Sequence, residues 1–291
     1  MPPGLMDVLN AGQKLLQKKG VESARLESEM LMSHVLGCQR HQLYIMGNRP
    51  LDLKQTEAYE ALLHRRLQGE PIQYIIGVRE FMGLNFHVDK RVLIPRWETE
   101  LLVEYVINRV KDYSGPLHIL DLGTGSGAIA VSLASYLSQA WITAVDIKED
   151  ALQAAADNAK LNKVENRIEF LKGDFFTPLE LSLYSEYFDV IVSNPPYIPT
   201  KEIEKLMTEV KDYEPITALD GGADGLDCYR RIAAGAWQYL KENGFIALEI
   251  GYDQSKPVQE IFLSKAYHVA EVRKDLSGID RIAVFCKRQG V

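Results

Sequence analysis

Ile119-Leu120-Asp121-Leu122-Gly123-Thr124-Gly125-Ser126-Gly127-Ala128-Ile129-Ala130 is the stretch that decides the fold. An apolar run of strand length enters a loop with three glycines, and an apolar run rich in alanine leaves it. Glycines let the backbone turn tightly and approach a ligand closely. The free N–H groups at the start of the following helix point at whatever polar or anionic group sits there. Taken alone the loop is ambiguous, because Gly123, Gly125 and Ala128 also satisfy the dinucleotide pattern G-x-G-x-x-G/A.

From the start of this unit onward, strand-like runs alternate with helical stretches. The runs are Leu117 to Asp121, Trp141 to Asp146, Ile168 to Lys172, Phe188 to Ser193 and Phe245 to Ile250. Such alternation predicts a parallel sheet covered by helices. The last two runs, Tyr267 to Val272 and Arg281 to Cys286, are joined by too few residues for a helical crossover, so they are expected to pair antiparallel at the sheet edge. A doubly wound sheet ending in a reversed hairpin resembles that of the Rossmann-like methyltransferases.

Upstream the period changes. From Met6 to about Leu67 apolar residues recur at three- and four-residue spacing, as in Leu26, Met30, Leu31 and Val35. Breaks at Gly20, Gly37 and Asn48-Arg49-Pro50, with Asp52 as a cap, predict about four short helices over residues 1–70. Residues 71–95 read as a linker containing a β-hairpin, Arg79 to Phe81 and Leu84 to Val88 around Met82-Gly83. Residues 96–291 then form the α/β domain, a seven-stranded Rossmann-like sheet.

Composition narrows the class of protein. With 46% hydrophobic and 25% charged residues in 291, the chain reads as globular and large enough for two domains. No apolar run approaches the roughly 18 residues a membrane helix needs. Asp7 stands where a secretory signal carries positive charge, so a cytoplasmic, non-membrane protein is expected. The three cysteines are far apart and the six histidines occur singly, so no metal is expected. A formal charge of −7 argues against a nucleic-acid partner. The dense basic clusters, Lys18-Lys19 and His64-Arg65-Arg66, read as solvated helix faces.

Three further sites fall at the ends of predicted strands. Asp146 stands 23 positions after Gly123, where an acidic residue takes the ribose hydroxyls of an adenosine cofactor. Asp174, in Gly173-Asp174-Phe175, is placed to accept from an adenine amino group, with Phe175 packing on the ring. Val190-Ile191-Val192-Ser193-Asn194-Pro195-Pro196-Tyr197 closes the fourth strand of the domain. Two consecutive prolines stiffen the loop and donate no N–H, leaving its carbonyls free as acceptors. The Asn194 side-chain oxygen and the Pro195 carbonyl can together take both hydrogens of an NH₂ group. Tyr197 is expected to wall that acceptor pocket, its π-face suited to a planar group or a sulfonium.

On these residues the chain resembles the S-adenosylmethionine methyltransferases that act on exocyclic or amide nitrogens and share an Asn-Pro-Pro-Tyr motif. The resemblance tightens outside the cofactor motifs. Glu70-Pro71-Ile72-Gln73-Tyr74-Ile75-Ile76-Gly77, Leu93-Ile94-Pro95-Arg96-Trp97-Glu98-Thr99-Glu100 and Leu219-Asp220-Gly221-Gly222-Ala223-Asp224-Gly225-Leu226 look like segments of the HemK/PrmC family. That family methylates the glutamine amide nitrogen in the Gly-Gly-Gln motif of peptide chain release factors. The resemblance implies that Gly123, Thr124, Gly125, Ser126 and Gly127, with Asp146, Phe175 and Asn194, contact S-adenosylmethionine, to which the strand-end reading adds Asp174. It implies that Asn194, Pro195, Pro196 and Tyr197 hold the glutamine amide, and that the amino-terminal bundle helps dock the release factor; separately, a monomer is expected. Two positions depart from the family pattern: Trp97, where Pro is common, and Phe175, often Trp.

Two other readings compete. A flipped adenine presents the same NH₂ chemistry, so an N6-adenine methyltransferase on DNA or RNA is the alternative; the acidic balance counts against it. A scaffold that keeps the donor for stability alone has no need of an acceptor pair.

Overall fold

The computed structural model describes residues 2–288, in two compact units. The first comprises residues up to Gly77 together with Met207–Tyr213; the second comprises Val78–Leu206 and Glu214 onward.

Up to Gly77 the described residues of the first unit form five helices, Leu5–Lys18, Ala24–Leu36, Arg40–Met46, Leu53–Leu67 and Ile72–Ile76, and the segment Met207–Tyr213 adds the short helix Thr208–Lys211. The Asp52 cap forms, its carboxylate accepting from the Gln55 N–H at 2.8 Å while the Gln55 side chain accepts from the Asp52 N–H. Leu5, Leu16, Leu31, Met32 and Tyr59 fill the core. The fifth helix lies in the stretch read from sequence as the start of the linker. At five residues it is too short to show a helical period, and it stops at Gly77 in the left-handed conformation, φ 79°.

One expectation fails in this unit. The cluster His64-Arg65-Arg66 is not a uniformly solvated face, because Arg66 is only 8% exposed. Successive residues on a helix diverge by about 100°. Arg65 therefore reaches the surface, whereas Arg66 turns inward and donates through Nε to Glu27 at 2.6 Å. The Arg66 guanidinium also pairs with Glu209, carried by the distant segment Met207–Tyr213, at 2.9 Å.

In the second unit β1 (Val78–Phe81) and β2 (Leu84–His87) form the hairpin. It is not a free-standing linker: the Asn158 side chain exchanges two hydrogen bonds with the His87 backbone, and the Tyr136 hydroxyl donates to the Met82 carbonyl. Strands β3 (Leu117–Leu122), β4 (Ala140–Asp146), β5 (Ile168–Lys172), β6 (Phe188–Ser193) and β7 (Leu240–Glu249) run parallel. β8 (Tyr267–Lys274) and β9 (Asp280–Lys287) pair antiparallel, as their short connection requires.

The sheet order is β5-β4-β3-β6-β7-β9-β8. The chain steps outward one way from β3 to β5 and the other way from β6 onward, so the order reverses between β3 and β6. That is the switch point at which open parallel sheets hold ligands, beyond the carboxyl ends of the strands. The central strands are buried on both faces, which explains their unbroken apolar runs: every residue of β6 is buried. No helix among the described residues is long and apolar enough to cross a membrane.

Candidate active site

At the switch point lies a cavity of about 380 Å³, lined by the glycine loop, Asp146, Asp174, Phe175 and Asn194. β3 pairs with β6 through Asp121 and Val192, so continuing that register sets Gly123 level with Asn194. The Ser193 hydroxyl donates to the Leu122 carbonyl and ties the two strand ends together.

The glycine loop is held from below and open above. Gly123, Gly125 and Gly127 all have positive φ, at 74°, 55° and 78°. The Gly123 and Thr124 N–H groups donate to the Val145 carbonyl, and the Thr124 hydroxyl to Asp121 at 2.7 Å. A Cβ built on Gly123 or Gly125 would meet no protein atom within 4 Å, whereas one on Gly127 would press on Ala155 at 3.0 Å. The first two glycines therefore leave ligand-sized room above the backbone, and the third lets the helix Ala128–Tyr136 pack against its neighbour.

Asp146 sits at the end of β4 and accepts from the Gly125 N–H and the Lys148 N–H, both at 2.9 Å. A carboxylate offers about four acceptor positions, so these N–H groups leave room for a hydroxyl group. Burial pushes its pKa up, against the pull of those N–H groups. Such a loop and carboxylate fit the ribose of a nucleoside ligand.

Asp174 is less free than the sequence suggests. Arg231 pairs with it at 2.5 Å, and the same guanidinium stacks over the Phe175 ring at 4.8 Å. Phe175 has a positive φ of 52°, a conformation costly for a bulky residue, and it aims the ring at the cavity.

The Asn194 side chain is held from within the protein on one side. Its Nδ2 donates to the Thr99 hydroxyl at 2.9 Å, and that hydroxyl donates to Glu249 at 2.6 Å. Thr99 is 4% exposed and Glu249 1%. Burial is the main reason the Glu249 carboxyl rises to about 7; the Thr99 hydrogen bond opposes it.

Asn194 and Pro196 line the cavity, Pro195 is buried next to them, and Tyr197 lies outside the lining. The expected aromatic wall is thus absent. Tyr197 packs against the core cluster containing Tyr229 and Ile250. Its backbone is tethered as well, the carbonyl accepting from Gln254 Nε2 at 2.8 Å.

Thr99, Glu249, Arg231 and the loop Pro215–Asp220 border or support the cavity without having been singled out from sequence. A glutamate inside the apolar run Phe245 to Ile250 was the available signal for one of them. Trp97 is 45% exposed and outside the cavity lining; it opens the helix Trp97–Val110 at the position proline favours.

Two family models match the chain: the PrmC N-terminal domain over residues 7–77 and a methyltransferase domain over residues 114–259. The release factor glutamine methyltransferase of Geobacter sulfurreducens is 42% identical over 94% of this chain and 94% of its own length. That of Thermodesulfovibrio yellowstonii is 43% identical over 91% and 93%. A methyltransferase structure from Pyrococcus furiosus superposes with a TM-score of 0.51 at 20% identity, over 71% of this chain and 90% of its own. Identity at this level, sustained across both units, leaves one assignment: the chain belongs to the release factor glutamine methyltransferase family.

Proposed function

We propose that the chain transfers a methyl group from S-adenosylmethionine to the side-chain amide nitrogen of the glutamine in the Gly-Gly-Gln motif of peptide chain release factors. The observation that carries this reading is the Asn194 amide. Its nitrogen is engaged by Thr99, so its oxygen is the group left to accept from a substrate NH₂ at the cavity. A planar amide has its nitrogen lone pair delocalised into the carbonyl, so positioning and desolvation are what the protein must supply.

When bound, the donor supplies a methyl group already activated on a sulfonium; transfer leaves a thioether, the N-methylamide and one proton. The chain's own residues do the rest. Gly123 to Gly127 and Asp146 hold the nucleoside, with Asp174 and Phe175 at the base. Asn194 Oδ1 and the Pro195 carbonyl take the two amide hydrogens, and Pro196 keeps the loop rigid. The surplus proton departs to solvent. The helical unit, with its matched PrmC N-terminal domain, serves to dock the release factor.

The deciding experiment incubates the purified chain with methyl-labelled donor and, separately, a release factor, its Gln→Ala version, and DNA. Label on the unaltered factor alone is the expected result. Label on DNA, or on the Gln→Ala factor, would overturn the assignment.

A further inference from the structure

The hydrogen bond from Asn194 to Thr99 continues to a buried carboxylate, Glu249, to which the function proposed above gives no role. Ser193 pairs with Leu248 in the parallel β6–β7 ladder, so Asn194 and Glu249 stand level and on the same side of the sheet. Thr99, in the first turn of the helix Trp97–Val110, lies between their side chains. Resting on the function proposed above, we propose that Glu249 and Thr99 are positioning residues for methyl transfer: they fix which end of the Asn194 amide faces the substrate.

The argument is one of hydrogen-bond polarity. An amide side chain can present either oxygen or NH₂ at nearly the same place, and only its partners decide which. A hydroxyl has one hydrogen to give. Glu249 Oε2 accepts that hydrogen at 2.6 Å, so the Thr99 oxygen is left as an acceptor. The Asn194 end that meets Thr99 must then be NH₂, and the oxygen must face the cavity. A flipped Asn194 would set donor against donor at the substrate nitrogen and lose both the contact and the orientation. A carboxyl group 1% exposed is expensive to bury. Arg96 and Arg281 are the cations whose field stabilises it, Glu98 opposes them, and Thr99 is the donor in contact.

The test compares Thr99→Val, which keeps the shape and removes the hydroxyl, with Thr99→Ser, which restores it, and Glu249→Gln, which can give or accept. For Thr99→Val, kcat on the release factor is expected to fall about tenfold or more, the scale of one lost orienting hydrogen bond in a reacting complex. KM and the affinity for S-adenosylhomocysteine should stay within about threefold, since neither depends on that bond. Thr99→Ser should recover most of kcat, which a packing role for the Thr99 methyl group would not allow. Glu249→Gln should fall between them.

A second readout needs no turnover. In nitrogen-15 spectra the Asn194 side-chain NH₂ pair should be slow to exchange in the unaltered protein and fast in Thr99→Val. Normal kcat in Thr99→Val, with Asn194→Ala inactive, would overturn the relay. If the unaltered chain labels no release factor, the substrate reading fails by itself; the NH₂ exchange then decides the relay, and an unchanged rate in Thr99→Val overturns it.

Discussion

A Cβ at Gly225 would lie 2.4 Å from the carbonyl oxygen of Tyr197. Backbone meets backbone there without room for a single methyl group. At Gly221, likewise, a Cβ would come within 2.8 Å of Tyr197 Cα. Between these two contacts, Ile198 donates to Leu219 and Gly221 to Ile198, at 3.0 and 2.8 Å. The segment from Leu219 to Gly225 is therefore a backbone clamp on the loop that carries Asn194.

Gly225→Ala should damage both stability and catalysis. Its φ of 76° disfavours any side chain, and the clash is with main chain, which cannot swing away. A loss of about 2–4 kcal/mol in denaturant unfolding is expected, with kcat reduced at least about tenfold. Unfolding and turnover like those of the unaltered protein would show that the loop does not depend on the clamp.

Gly125→Ala should separate the two effects. No protein atom stands within 4 Å of the added methyl, so the cost to the fold is the strain of a φ of 55°, about 1 kcal/mol. The methyl would occupy the space above the loop. Affinity for S-adenosylhomocysteine, measured by calorimetry, is expected to drop more than about tenfold. Unaltered affinity would remove the loop from the ligand site.

Asp121 supplies a pH signature. It is fully buried, and burial raises its carboxyl from 3.8 to about 7, with the Thr124 hydrogen bond opposing. An acid whose folded pKa is raised stabilises the fold in its neutral form; that contribution is intact below the unfolded value and is lost as pH rises through about 7. Asp121→Asn keeps an acceptor for Thr124 and cannot ionise. Relative to the unaltered protein, its melting temperature should gain between pH 5 and pH 8, by the equivalent of about 1–3 kcal/mol. A difference that does not change with pH would contradict the raised pKa.

In the helical unit, Glu27→Ala leaves the inward-facing Arg66 with only Glu209 for a charged partner. Stranding a buried guanidinium costs about 3–5 kcal/mol, and the remaining partner should limit the loss to about 2–3. Denaturant unfolding of the full chain reads this directly. The donor affinity of the sheet-bearing unit should not change, and a parallel fall in it would mean that the damage is not local.

The local chemistry of this protein was legible in its sequence wherever neighbours in the chain decide structure. Strand runs, the glycine loop, the Asp52 cap and the edge hairpin follow from periodicity and turn residues. The spans Ile168–Lys172 and Phe188–Ser193 match the observed strands, whereas β7 begins at Leu240, five residues before the apolar run that marked it. Motif positions at strand ends were legible for the same reason, because a parallel sheet sends all its carboxyl ends to one edge. What needed the folded chain was pairing across sequence. Thr99 meets Glu249 over 150 positions, Arg66 meets Glu27 and Glu209 from opposite directions along the chain, and Tyr197 turns into the core while Gly221, Gly225 and Gln254 grip its backbone. Side-chain hydrogen bonds and close backbone approaches carry no period, so only tertiary structure decides which partners they join, and here they decide which atom of Asn194 faces the cavity.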